Sequence, residues 1–134
     1  MHVSSILTLS FLFLSFFAYS QSNVEYTYVA TTDDGVEFYL YVENSDRFDV
    51  GLWLKESKPF KTIKNKQGKN IQSGGGYTLS FITIICDERT FSISKVVKYN
   101  IQNKIISNKE SMGVLHKIIP GSVMGVVRAS VCPD

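Results

Sequence analysis

Residues 77–86 read Tyr-Thr-Leu-Ser-Phe-Ile-Thr-Ile-Ile-Cys, and this stretch decides the predicted fold. In an extended chain, Leu79 and Phe81 would lie on one side. Ile82 and Ile84 would lie on the other side. A strand that is apolar on both faces is typical of the interior of a sheet, where neighbouring layers cover it. We therefore predict a central strand over residues 77–86.

Three stretches upstream alternate apolar and polar side chains, as half-buried strands do. They cover residues 24–30, 36–42 and 50–54, and the first two are separated by Asp34-Gly35, a strong hairpin signal. We predict an antiparallel meander of three strands. One face of its first strand is predicted to carry Val24, Tyr26, Tyr28 and Ala30.

Downstream, residues 90–99 are predicted to form a fifth strand. One of its faces is predicted to carry Phe91, Ile93, Val97 and Tyr99. Residues 57–76 are predicted to be a polar connection ending in a flexible Gly74-Gly75-Gly76 turn, and residues 100–111 a loop. Residues 112–119 are the candidate sixth strand.

After Pro120-Gly121-Ser122 the apolar period changes to that of a helix. The predicted stripe consists of Val123, Val126, Val127, Ser130 and Val131. Ser122 is the predicted N-cap. The fold class that follows is α+β and mainly β: an antiparallel sheet of about six strands with a C-terminal helix.

Residues 1–20 contain no Lys, Arg, Asp or Glu, and residues 6–17 are apolar apart from small hydroxyl side chains. A run of this length is typical of a signal peptide and is short for a membrane-spanning helix. Residues 18–20 place small side chains at a cleavage site, and no lipid-attachment cysteine lies nearby. We predict a signal peptide over 1–20 and one exported domain over 21–134, with no transmembrane segment after cleavage. An uncleaved anchor is the alternative.

Cys86 and Cys132 are the two cysteines of the chain. An even number in a small exported domain favours a disulfide. Such a bridge would fasten the predicted helix to the end of the central strand and stabilise the fold by about 4 kcal/mol. The alternative is a reactive thiol, for which Cys132 with His116 would be the available thiol–imidazole pair.

The net charge of +2 hides an uneven distribution. Residues 21–56 hold eight acids and two bases, whereas residues 57–134 hold twelve bases and four acids. Five lysines fall within the polar stretch 57–76: Lys58, Lys61, Lys64, Lys66 and Lys69. Such a run can contact an anionic surface or a polyanion, although charge runs are more often solvated loops. The sequence contains no nucleic-acid-binding module, and we expect no nucleic-acid partner.

Few residues offer catalytic chemistry. His116 is the one histidine outside the predicted signal peptide, and no metal-ligand spacing accompanies it. There is no Gly-x-Ser-x-Gly sequence, and no Gly-Lys-Ser/Thr follows the three glycines. Asp33-Asp34 and Asp87-Glu88 lie at predicted turns, and a carboxylate pair stays open because it depends on a separation in space. We expect a protein that is not an enzyme and that uses no cofactor and no metal.

Six tyrosines lie outside the predicted signal peptide: Tyr26, Tyr28, Tyr39, Tyr41, Tyr77 and Tyr99. Tyr39 and Tyr41 share the outer face of a predicted strand with Glu37. Aromatic side chains with a polar end are enriched at protein interfaces. They also pair across neighbouring strands in ordinary sheets, so both roles stay open.

A set of motifs in the C-terminal third has a recognisable order. Cys86 and Arg89 precede the strand 90–99, and Met112-Gly113, Ile119-Pro120-Gly121-Ser122 and Val131-Cys132 follow it. In this order the chain resembles the bacterial surface-adhesin protein E family, over most of residues 21–134. The predicted strands 36–42 and 50–56, with Trp53, are compatible with the resemblance.

The resemblance implies an antiparallel sheet whose C-terminal helix is held by a disulfide. It also implies a surface protein that binds host matrix or envelope proteins and can form a homodimer, and it assigns no ligand-binding residue. The functional hypothesis is an exported, non-enzymatic binding protein of the periplasm, the outer surface or the medium. The alternative is an inhibitor of a periplasmic or extracellular enzyme, a role suited to small disulfide-bonded domains.

Overall fold

A computed structural model describes residues 24–133, and the predicted signal peptide over residues 1–20 lies outside the described residues. The described elements, in chain order, are β1 (Thr27–Thr31), β2 (Glu37–Ser45), β3 (Asp49–Ser57), β4 (Phe60–Lys64), β5 (Asn70–Gly74), β6 (Tyr77–Ile85), β7 (Thr90–Tyr99), β8 (Ile105–Glu110), β9 (His116–Lys117) and α1 (Val123–Val131). Within residues 24–133 no helix is long and apolar enough to cross a lipid bilayer.

Six strands form one curled antiparallel sheet in the order β1-β2-β3-β6-β7-β8. The short strand β9 pairs with the start of β7, on the same edge as β8. Strand β6 has an antiparallel partner on each side, which confirms the central position predicted for residues 77–86. The predicted fold class and the β1–β3 meander are also confirmed.

The core lies on the face of the sheet that α1 covers. Its fully buried side chains include Leu52, Ile82, Ile84 and the helical Val127, each at most 1% exposed. The strand residues among them occupy alternate positions of β3 and β6, so one face of each strand supplies the core. Complete burial of a side chain of this size contributes roughly 1.5–3 kcal/mol.

Helix α1 begins at the predicted residue, Val123. The Ser122 hydroxyl accepts a hydrogen bond from the backbone N–H of Gly125 at 3.2 Å, which confirms the predicted N-cap.

The face of α1 that packs on the sheet differs in part from the predicted stripe. It consists of Val123, Met124, Val127 and Val131. Val126 and Ser130 are exposed instead. The Ser130 hydroxyl donates to the Val126 carbonyl at 2.9 Å, so this polar group is satisfied at the surface. Met124, which has a longer apolar side chain, packs against the core instead.

A disulfide joins Cys86 to Cys132, 46 residues apart in the chain, with their Cα atoms 5.7 Å from each other. The predicted bridge is confirmed, and the alternative of a Cys132–His116 thiol–imidazole pair is wrong because the thiol is consumed. The Arg128 guanidinium adds to this fastening: Nη2 and Nε donate to the Cys86 carbonyl at 3.0 and 3.3 Å. The helix is therefore held at the end of β6 by a covalent bond and by charge-assisted hydrogen bonds.

Residues 57–76, predicted to be a polar connection, continue the two central strands beyond the sheet. The Lys58 N–H donates to the Gly76 carbonyl at 3.2 Å, and the Gly75 N–H donates to the Pro59 carbonyl at 3.3 Å. These bonds carry the β3–β6 pair into the β4–β5 pair, which forms a separate two-stranded sheet. We call residues 58–76 the arm. The prediction missed its strands because polar side chains occupy both of their faces.

The three glycines at the root of the arm have φ values of +81° (Gly74), +74° (Gly75) and +72° (Gly76). They were predicted as a flexible turn. In the structure each adopts a positive φ, the conformation that favours glycine. A Cβ atom at Gly76 would also overlap the Tyr99 carbonyl oxygen, and one at Gly75 would come within 2.7 Å of the Phe60 ring. This corner therefore requires glycine for close packing.

Two predictions after β7 are wrong. Residues 100–111, predicted as a loop, contain β8, and residues 112–119, predicted as a strand, contain just the two-residue β9. Strand β8 is polar and exposed along most of its length, so it lacks the apolar alternation that predicts strands. Gly113 adopts a φ of +69°, which takes the chain out of the extended conformation.

Two bulges also redistribute side chains between the faces of the sheet. The β1–β2 register shifts between Tyr28 and Ala30, which places Ala30 with the core-facing Phe38. The β6–β7 register shifts at Phe81/Ile82, so Val97 lies on the opposite face from Ile93. The single-face sets predicted for these two strands are therefore wrong.

Candidate functional site

The face of the sheet opposite α1 collects aromatic side chains from five strands and the segment before them. These residues are Tyr26, Tyr28, Tyr39, Tyr41, Trp53, Tyr77, Phe81 and Tyr99. Alternation along the strands explains their position. In β2 and β3 the even-numbered residues face the core, so the odd-numbered residues face the opposite side of the sheet. We call this set the aromatic face.

Neighbouring rings on the aromatic face contact one another across the strands. Tyr77 and Tyr99 stack with their ring centroids 4.5 Å apart, and Trp53 meets Phe81 edge-on at 5.2 Å. Tyr26 with Tyr41, and Tyr28 with Tyr39, form two further pairs at 6.1 and 5.8 Å. The cross-strand pairing that the sequence left open is therefore present, and each such pair contributes about 0.5–1.5 kcal/mol beyond its burial.

A groove of about 510 Å³ opens on the aromatic face. Its lining consists of Val24, Tyr26, Tyr41, Glu43, Trp53, Leu79, Lys95, Val97, Tyr99, Ile105 and Asn108. Both edges of the sheet contribute to this lining, so the sheet curls toward the groove. A second cavity of about 390 Å³ shares Glu43, Trp53 and Lys95 with it, so the two cavities are adjacent.

The charged groups of the groove contact neighbouring side chains of the same sheet. The Trp53 indole N–H donates to the Glu43 carboxylate at 3.0 Å. Lys95 forms an ion pair with Glu110 at 3.4 Å. These contacts place the indole and the ammonium between the two cavities.

Lys55 projects into the aromatic face beside the stacked tyrosine pair. Its Nζ atom lies 4.7 Å from the centroid of the Tyr77 ring and 5.7 Å from that of Tyr26. A cation at these distances is attracted by the ring faces. The arrangement gives one end of the aromatic face a positive charge surrounded by rings.

Three tyrosines of the aromatic face have raised pKa values. Burial is the main cause for Tyr26 and Tyr77, because it disfavours the phenolate. The pKa of Tyr39 is raised mainly because its hydroxyl donates a hydrogen bond to Glu37 Oε2 at 2.6 Å. All three hydroxyls therefore keep their protons at neutral pH.

The groups considered for catalysis lie elsewhere. His116 is on the exposed strand β9, with its ring 5.5 Å from that of Phe91. Asp34 accepts a hydrogen bond from the Thr32 hydroxyl in the β1–β2 turn, which is the main cause of its lowered pKa. In the part of the chain that the structure describes, no three His, Cys, Asp or Glu side chains gather to hold a metal ion.

Sequence reasoning named all six tyrosines of the aromatic face as interface candidates and placed Tyr39 and Tyr41 with Glu37 on one outer face, but it did not predict that the aromatic residues of different strands share a face. Trp53, Phe81 and Tyr99 belong to it because β3, β6 and β7 lie side by side. The available signal was that tyrosines recur at alternate positions of consecutive strands, as Tyr26 and Tyr28 do before and in the first and Tyr39 and Tyr41 do in the second. The bulge in β7, which brings Tyr99 to this face, left no such signal.

A scan against protein-family models, a search of curated proteins and a search of solved structures each found no match for this chain. The resemblance to the surface-adhesin protein E family stays a prediction, as does the homodimer that it implies.

Proposed function

We propose that this chain is an exported, non-enzymatic binding protein whose groove receives a segment of a protein partner. The observation that carries the proposal is the groove of about 510 Å³, which is lined by aromatic rings and lies opposite the helix-covered core. Its size is in the range of ligand sites, and rings with polar ends are the side chains enriched at protein interfaces.

The polar groups of the groove support recognition better than catalysis. Glu43 accepts a hydrogen bond from the Trp53 indole, and Lys95 pairs with Glu110, so both charged groups have defined neighbours beside the rings. Such fixed groups suit the orientation of a partner around an aromatic centre.

Export is supported by the predicted signal peptide and by the Cys86–Cys132 disulfide, a bond that persists in oxidising compartments. The partner is accordingly a protein of the envelope or of the host matrix, as the resemblance to surface adhesins implies. The protein would act in the periplasm, at the outer surface or in the medium.

The test is a binding screen of the chain from Gln21 onward against immobilised, purified matrix and envelope proteins. We expect saturable binding to a partner, weakened at least 30-fold in Tyr41→Ala and Tyr99→Ala, since central aromatic residues each contribute about 2 kcal/mol or more. Phe48→Ala, at a 56% exposed aromatic residue outside the groove lining, is the matched control and retains affinity.

No saturable partner in the screen, or equal loss in Phe48→Ala, would contradict the proposal. A partner that is a hydrolase and loses activity when bound would favour the inhibitor alternative instead.

A further inference from the structure

The arm carries a concentrated positive charge. Its residues, 58–76, include five lysines and no Asp or Glu. Every residue of β4 and all but one of β5 are exposed. The arm therefore presents its lysines to solvent beyond the end of the sheet.

The tip of the arm has a defined turn. The Asn65 side-chain oxygen accepts the backbone N–H groups of Gln67 and Lys69 at 2.9 and 3.0 Å. The Asn65 N–H in turn donates to the Lys69 carbonyl at 2.9 Å. Lys66 and Lys69 therefore both lie on this hydrogen-bonded turn at the tip.

The arm also exposes an apolar pair. Ile63 and Ile71 lie directly opposite each other in β4 and β5, and they are 45% and 42% exposed. Alternation along the strands places Lys61 and Lys69 on the same face, one on each side of the isoleucines. Exposed isoleucines flanked by lysines suit the boundary between lipid headgroups and acyl chains.

We propose that the arm binds an anionic lipid surface, with Ile63 and Ile71 entering the headgroup boundary and the tip lysines contacting lipid phosphates. The charge of the arm complements such a surface. A dissolved polyanion would engage the lysines and leave the exposed isoleucine pair without a role. Lys61 lies near Asp34 at the root of the arm, so the lysines toward the tip carry most of the attraction.

This inference is independent of the groove. The arm leaves the sheet where β3 ends and β6 begins, and its tip takes no part in the groove lining. A negative result in the lipid-binding test would therefore leave the proposed protein binding unaffected, and a negative result in the protein-binding screen would leave the proposed lipid binding unaffected.

The test is cosedimentation with vesicles, using the chain from Gln21 because all described elements lie beyond that residue. Vesicles of phosphatidylcholine with 30% phosphatidylglycerol are compared with phosphatidylcholine alone. We expect binding to the anionic vesicles, weakened roughly 25-fold in the double variant Lys66→Gln/Lys69→Gln, about fivefold per lysine. Ile63→Ser/Ile71→Ser should weaken binding about tenfold.

The matched control is Lys109→Gln/Lys117→Gln, which removes the same charge from exposed positions outside the arm. It should change vesicle binding less than twofold, and melting curves check that each variant is folded. Absence of binding to anionic vesicles, or equal loss in the control, overturns the proposal. Tight binding to heparin with no binding to vesicles also overturns it and identifies a polyanion site.

Discussion

Two asparagines build the same hairpin turn at two places in the chain. Asn65 and Asn100 each accept two backbone N–H groups through the side-chain oxygen. The fourth residue of each turn has a positive φ, +77° at Gly68 and +62° at Asn103. Glycine and asparagine tolerate this conformation better than other residues, which explains the matching sequences Asn-Lys-Gln-Gly-Lys and Asn-Ile-Gln-Asn-Lys.

Glycine substitutions separate the cost of conformation from the cost of close packing. A methyl group at Gly68 would meet open space within the described chain, so Gly68→Ala should lower the free energy of unfolding by about 1–2 kcal/mol. At Gly76 the same change also forces a contact with the Tyr99 carbonyl, and we expect a loss of about 3 kcal/mol or more. Urea unfolding followed by circular dichroism measures both. Equal losses would show that the packing at Gly76 is not tight.

Two partly buried tyrosines make stability sensitive to alkali. The folded-state pKa values of Tyr26 and Tyr77 are raised, so the unfolded chain releases its phenolic protons first as the pH rises. Their stabilising contribution is complete below about pH 10, the ordinary tyrosine value, and is lost as the pH rises through the folded-state pKa. Melting temperatures between pH 8 and 11 should fall, and less steeply in Tyr26→Phe. An unchanged slope in that variant would contradict this account.

At the scale of elements, the fold depends on how α1 is held against the sheet. Val127 inserts into the core with no exposed surface, while the neighbouring Val126 is 41% exposed. The disulfide and the Arg128 guanidinium fasten the same helix to Cys86. Packing, a covalent bond and hydrogen bonds therefore act on one short helix.

Two valines test the orientation of this helix. Val127→Ala should lower the free energy of unfolding by about 2 kcal/mol, because it leaves a cavity in the core. Val126→Ala, an identical change one position earlier, should alter it by less than about 0.5 kcal/mol. Chemical denaturation of both variants provides the comparison, and a loss at Val126 equal to or larger than the loss at Val127 would contradict the observed orientation of the helix.

Reduction tests the covalent link. Breaking the Cys86–Cys132 bond should lower the free energy of unfolding by about 4 kcal/mol, since the open chain regains conformational freedom. Denaturation with and without dithiothreitol measures this loss, with the Cys86→Ala/Cys132→Ala variant as the control that reductant leaves unchanged. Identical stability of the native protein in both conditions would exclude a stabilising bridge.

The elements differ in how far the sequence predicts them. Strand β6 and helix α1 follow from apolar periodicity, and the disulfide follows from the cysteine count and predicted export. The arm and β8 were missed because Lys, Asn, Gln and Ser occupy most strand positions there and leave no regular apolar alternation. The tyrosines were predicted as candidates within single strands, but their meeting on one face was not predicted, because strand order and bulges, which decide which strands share a face, are tertiary features.

At the scale of the molecule, two exposed surfaces stand out: the groove on the open face of the sheet, and the arm beyond its end. The helix covers one face and leaves the other for the groove, where rings and fixed charges meet. The arm extends the central strands past the groove with five lysines. Together they suit a protein that binds a protein partner while it lies at an anionic lipid surface.

The central claim is that a partner protein occupies the groove, and photocrosslinking tests it most directly. A p-benzoylphenylalanine residue replaces Tyr41 in the groove or, as the control, Phe48 outside it, and each protein is irradiated with the partner identified in the binding screen. We predict a crosslinked product from position 41 and none from position 48. A product from position 48 alone would contradict the assignment of the groove as the binding site.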